Sequence, residues 1–147
     1  MVLFGAMQTE NAAAPAKDSR FNALTLASIG ALACIAADMV HEAVGHGIVS
    51  WLVADPILSL STVALQNLDP SRLVSAAGTI ANVIVGVISL LLLRRVRNLT
   101  ASAYFLWAFG AFNLFNVGYL VASAGMNSGD WAAVISELSP PWLWRVG

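Results

Sequence analysis

The sequence predicts an all-α membrane protein with three transmembrane helices and a short strand-like surface segment after the first. Three observations lead there. Of 147 residues, 59% are hydrophobic and only 10% charged, where a soluble domain carries about 25% charged residues. Mean hydropathy is +0.77. The apolar residues are gathered into three runs, each long enough for the roughly 20 residues that cross a hydrocarbon core. Seven Lys+Arg against eight Asp+Glu give a net charge of -1, so there is no basic surplus to neutralise phosphates and no nucleic-acid partner is expected. Cys34 is the single cysteine, which excludes an intrachain disulfide and a cysteine metal cage.

Residues 1–20 are mixed, Ala-rich and carry Pro15, and are expected to be a flexible N-terminal tail. The apolar piece Met1–Met7 is short and no positive residue precedes it, so it does not read as a signal peptide. Residues 21–138 are expected to form a single membrane domain and residues 139–147 a C-terminal tail. The first apolar run, Phe21–Val53, is too long for one perpendicular crossing: about 31 helical residues span roughly 46 Å against a core of about 30 Å. It must tilt, protrude or break, with Gly45 and Gly47 as weak points. Residues 54–72 alternate patchily and suit one or two short strands at the membrane surface. Leu73–Leu93 and Ala101–Ala124 are uncharged and form the second and third spans. A short helix is expected over Trp131–Leu138, ended by Pro140 and Pro141. Trp51, Trp131, Trp142 and Trp144 are expected as an aromatic belt on one side. Lys17, Arg20, Arg94, Arg95 and Arg97 lie on the other side, opposite Arg72 and Arg145, and the positive-inside rule places that side in the cytoplasm.

The chemistry is concentrated in the first run. Asp38, His41, Glu42 and His46 fall within nine positions of an otherwise apolar stretch. Each charge at a helix centre costs about 2.5–3.5 kcal/mol on insertion scales, so the cluster must be neutral, paired, wetted or bound to a metal. Two imidazoles and a carboxylate suit Zn²⁺, and an adjacent glutamate suits a general base on a water acidified by the metal. The spacing H-E-x-x-x-H is one residue longer than H-E-x-x-H. On a regular helix the two rings would point about 140° apart. A π-bulge at Gly45 would bring them together. The alternative is direct pairing, Glu42 with His46 at i, i+4 and Asp38 with His41 at i, i+3. The longer spacing also occurs in the dipeptidyl peptidase III family of soluble zinc peptidases.

In the second run, Gly78, Asn82 and Gly86 stand at four-residue steps and make a ridge where another helix can approach closely. Asn82 in an apolar setting needs a partner, as do Asn113 and Asn116 in the third run. A further acid, Asp130, follows in Gly129-Asp130-Trp131.

The order of parts over residues 30–135 resembles the site-2-protease family of intramembrane zinc metallopeptidases. His41-Glu42 to His46 corresponds to its metal-binding helix, and Ala77-Gly78-Thr79-Ile80-Ala81-Asn82 to its Gly/Asn helix, with Thr79 where the family has proline. Asn113 and Asn116, followed by Asp130, correspond to its third motif, without that motif's prolines and with a longer spacing. The resemblance implies Zn²⁺ held by His41, His46 and Asp130, with Asp38 as the fallback third ligand. It implies Glu42 as the catalytic base, Asn82 and Asn116 as holders of substrate backbone, and a segment of another membrane protein as substrate. Asp130 reaches the metal only if the chain bends back at Gly125–Gly129. The family orientation, with the loop after the first helix in the cytoplasm, is opposite to the one the arginine count gives. The expected location is the bilayer of a bacterial or archaeal cell, in several passes, with self-association left open. The alternative function is a non-catalytic membrane protein: a proton- or metal-handling subunit, or an inactive relative that acts as a binding partner.

Overall fold

A computed structural model describes residues 21–146; the tail expected over residues 1–20 lies outside the described residues. Three helices are long and apolar enough to cross a membrane: Ala23–Leu52, Arg72–Leu93 and Ala101–Met126. Each starts at a short polar residue that the sequence places just before an apolar run. The Asn22 side chain accepts the Thr25 backbone N–H at 2.8 Å, Ser71 Oγ that of Val74 at 3.3 Å, and Thr100 Oγ1 that of Ala103 at 3.1 Å. These contacts satisfy amides that have no partner inside the helix.

The first helix does not break. It runs as α1 (Ala23–Met39), a π-helical segment (Val40–Gly47) and α2 (Ile48–Leu52). The chain then turns at Ala54 into an antiparallel hairpin, β1 (Ile57–Leu60) and β2 (Leu65–Asn67), with Leu60 opposite Leu65 and a bulge between Ile57 and Ser59. Its base is tied to the first helix through Asn67, whose Nδ2 donates to Ser50 Oγ at 2.8 Å and to Asp55 Oδ2 at 2.7 Å. α3 (Arg72–Leu93) and α4 (Ala101–Met126) follow, then α5 (Asp130–Ile135) and α6 (Pro141–Val146). The segment expected as a C-terminal tail therefore contains a helix. Pro141 opens it, because proline at the first helical position gives up an N–H that would have no partner anyway.

The packing is inverted relative to a water-soluble bundle. Small residues fill the interior: Ala33, Ala37, Ala77, Ala103, Ala108 and Ala124 are buried, together with the polar Ser50, Thr79, Asn82, Ser89, Asn113 and Ser123. Large apolar side chains such as Leu32, Ile84, Ile88, Leu91, Phe115 and Val121 face outward. Helices that meet through small residues bring their backbones close, which is how helices associate where lipid removes the hydrophobic drive. The expected ridge on α3 is used this way. A Cβ on Gly86 would lie 2.8 Å from Leu114 Cγ on α4. A Cβ on Gly45 would lie 2.8 Å from both Ala77 O and Gly78 N of α3, so the π-helical segment rests directly on the α3 backbone. Gly45→Ala is expected to destabilise the fold by about 1–3 kcal/mol through overpacking, read as a lower midpoint of thermal unfolding in detergent.

Candidate metal centre

Two histidines five residues apart meet because the helix changes its hydrogen-bond pattern where they stand. A regular α-helix turns them to different faces. The i→i+5 ladder over Val40–Gly47 takes up the additional residue and brings both rings onto the α3 side. Both are buried, their centroids 4.7 Å apart and their planes at 83°. The site exists only because α3 has no side chain at that point. A Cβ on Gly78 would sit 2.6 Å from His41 Nε2 and 2.6 Å from His46 Nε2.

Asp130 arrives from the far end of the chain. α4 stops at Met126, Asn127 takes a left-handed conformation with φ 55°, and Gly129 follows with φ 82°. That double bend turns α5 back towards the spans, as the third-ligand role requires. Ser123 holds the bend in place: its buried Oγ donates to Ser128 O at 2.5 Å and accepts the Trp131 and Ala132 backbone N–H groups at 3.1 and 3.3 Å. Trp131 Nε1 donates to Thr79 Oγ1 on α3 at 3.0 Å, and Arg72 Nε donates to Val134 O at 2.7 Å. Trp131 is thus an internal tie and not part of an aromatic belt, whereas Trp51, Trp142 and Trp144 are exposed.

With α5 so placed, Asp130 Oδ2 lies 3.0 Å from His41 Nε2 and 3.3 Å from His46 Nε2. One ligand atom from each of the three residues falls within 4.8 Å of the others, so this group could hold a metal ion. The set passes a test of fit. A tetrahedral zinc with bonds of 2.0–2.1 Å separates its ligand atoms by about 3.3–3.4 Å, close to the distances from Asp130. His46 Nδ1 is bonded to Val74 O at 2.6 Å. That bond fixes the tautomer and leaves Nε2 free as a ligand, the usual outer support of a metal-bound histidine. Burial works to raise the Asp130 pKa, but hydrogen bonds and charge from His41 and His46 outweigh it and hold the carboxyl well below the usual carboxylate range. Asp130 is therefore ionised, as a ligand must be.

The three donors open onto a cavity of about 520 Å³, also lined by Asp38, Glu42, Leu65, Asn116 and Tyr119. Asp38, the fallback ligand, is in the cavity wall and outside the donor group. Glu42 follows His41 directly, is half-buried, and lies beside the Leu65 backbone of β2. Asn116 lines the cavity; Asn82 does not but is fully buried four residues beyond Gly78, neither amide atom having a partner among the described residues. Sequence reasoning missed three contributors. Gly78 stood out for close helix packing and as part of the Gly/Asn segment, not as the floor of the histidine pair, and Ser123 and Tyr119 were given no role.

Two substitutions test the geometry. Gly78→Ala is expected to displace both imidazoles and reduce bound metal well below one ion per chain, measured by elemental analysis of purified protein. The His41→Ala/His46→Ala double variant should bind none. No family model, curated protein or solved structure matches this chain, so its function is read from its own residues and their arrangement.

Proposed function

We propose that this chain is an intramembrane zinc metalloprotease, an integral membrane protein that hydrolyses peptide bonds in membrane-embedded segments of other proteins. The observation that carries the reading is the convergence of His41, His46 and Asp130 beside Glu42 in one cavity, two of them brought there by a π-helix in an apolar span. The outward-facing large apolar residues and the exposed Trp51, Trp142 and Trp144 support placement in a bilayer.

His41 Nε2, His46 Nε2 and Asp130 Oδ2 would hold the ion. When bound, zinc supplies Lewis acidity, lowering the pKa of water towards neutrality and polarising a peptide carbonyl. Glu42 acts as the general base: its carboxylate takes a proton from the attacking water and then delivers it to the nitrogen of the leaving amine. Asn116, in the cavity wall, carries an amide donor and acceptor and would hold substrate backbone. The hairpin residues Val63, Ala64 and Leu65 flank the same cavity. An extended segment can lie along them, whereas a regular helix shields its carbonyls, so the substrate is an extended or locally unwound stretch.

A second reading draws on the same distances. Protonated His41 and His46 can pair with Asp130 directly at 3.0 and 3.3 Å, which describes a metal-free polar network in a non-catalytic membrane protein. Zinc content separates the two. The protease reading expects about one zinc per chain in purified protein, and the network reading expects none in a folded protein. Glu42→Gln is expected to keep the zinc and abolish cleavage of a detergent-solubilised membrane-protein substrate. Cleavage that persists would remove Glu42 from its role.

A further inference from the structure

His41 and His46 are supported differently. His46 has its outer nitrogen bonded to Val74 O at 2.6 Å. His41 Nδ1 is buried and has no hydrogen-bond partner among the described residues. The ring is therefore held by a polar contact only at Nε2, which meets Asp130 Oδ2 at 3.0 Å; on the Nδ1 side packing must set its orientation. Besides His46, the ring against His41 is that of Tyr119, which meets the imidazole edge-on, with centroids 6.2 Å apart and planes at 83°.

The other end of Tyr119 reaches the third donor. Its phenolic oxygen lies over Gly129, in the space that a Cβ there would take, and beside the Asp130 backbone amide. That amide opens α5, and Gly129 offers no side chain to cap it. Ser123 Oγ already accepts the next two N–H groups, from Trp131 and Ala132. The Tyr119 phenolic oxygen, within hydrogen-bond reach of Ser123 as well, is the acceptor beside the first N–H of α5. Tyr119 thus touches His41 with its ring and the Asp130 backbone with its oxygen.

Resting on the metal reading above, we propose that Tyr119 is a positioning residue of the metal centre, a strut that sets the Asp130 carboxylate against the His41 imidazole. It does for His41 by ring contact what Val74 O does for His46 by a hydrogen bond. It also couples the two ends of the chain that build the site.

The test uses the full chain in detergent, with zinc affinity measured by competition against a chromophoric chelator and Co²⁺ absorption as a report on ligand geometry. Loss of outer support commonly weakens metal binding by about 10–100-fold. Tyr119→Phe keeps the ring and removes the oxygen, and is expected to raise the zinc dissociation constant by about 10-fold and to shift the cobalt bands. Tyr119→Leu removes both contacts and is expected to weaken binding by about 100-fold. Wild-type affinity and unchanged cobalt bands in Tyr119→Phe overturn the proposal, even if the leucine variant fails to fold. A change in melting temperature with unaltered cobalt bands also overturns it, because that is the mark of a purely structural role. A wild-type protein that binds no zinc overturns the metal reading beneath the proposal, before any variant is compared.

Discussion

Everything in this molecule depends on how closely the first long helix approaches α3. Gly45 lies against the backbone of Ala77 and Gly78, with no side chain between them. At that separation the two imidazoles have one place to go, the gap above Gly78, and they fill it. A methyl group on either glycine would push the helices apart or the rings out. The π-helical stretch is the other half of the same constraint. It turns a spacing that an α-helix would scatter into one that delivers both nitrogens to a single point. Glycine has a double use here, since it permits the contact and tolerates the looser ladder.

The polar groups follow from that contact in a definite order. His41 and His46 are too costly to leave unpaired in an apolar span, and Asp130 meets both. Asp130 in turn requires a bend at Asn127 and Gly129, and the bend requires Ser123, a buried hydroxyl with three backbone partners. Thr79 and Arg72 then fasten α5 to α3. Single hydrogen bonds of this kind contribute about 1 kcal/mol each. Their larger effect is geometric: they fix where one carboxylate oxygen stops.

Much of this was legible in the residues, and the boundary of legibility has physical causes. The three long helices were visible because apolar runs of that length have few other uses, and their starts agree with the capping residues Ser71 and Thr100. One or two short strands were visible from the alternation around Leu58 and Leu65, but not their pairing as a hairpin. The meeting of His41 and His46 could be stated only conditionally, because periodicity argues against it and only a π-bulge rescues it. The return of Asp130 was conditional too, since a bend at a glycine can be expected but its direction cannot. Tyr119 and Ser123 were invisible for a simpler reason. Each is an ordinary residue in an apolar run, and its importance lies in which backbone it touches after the chain has turned. Trp131 was misread by the same logic: an indole beside a membrane helix suggests an anchor until Thr79 is found opposite its N–H.

The third donor stands 89 residues after the first in the chain. A ribosome that has delivered only the leading two spans has already made the paired imidazoles and the adjacent glutamate, yet nothing that closes the coordination set. The hydrolytic apparatus proposed above would thus stay inert throughout insertion and switch on only when α5 folds back. On that proposal, the order of assembly would itself spare the translocation machinery and the nascent chain from premature cutting.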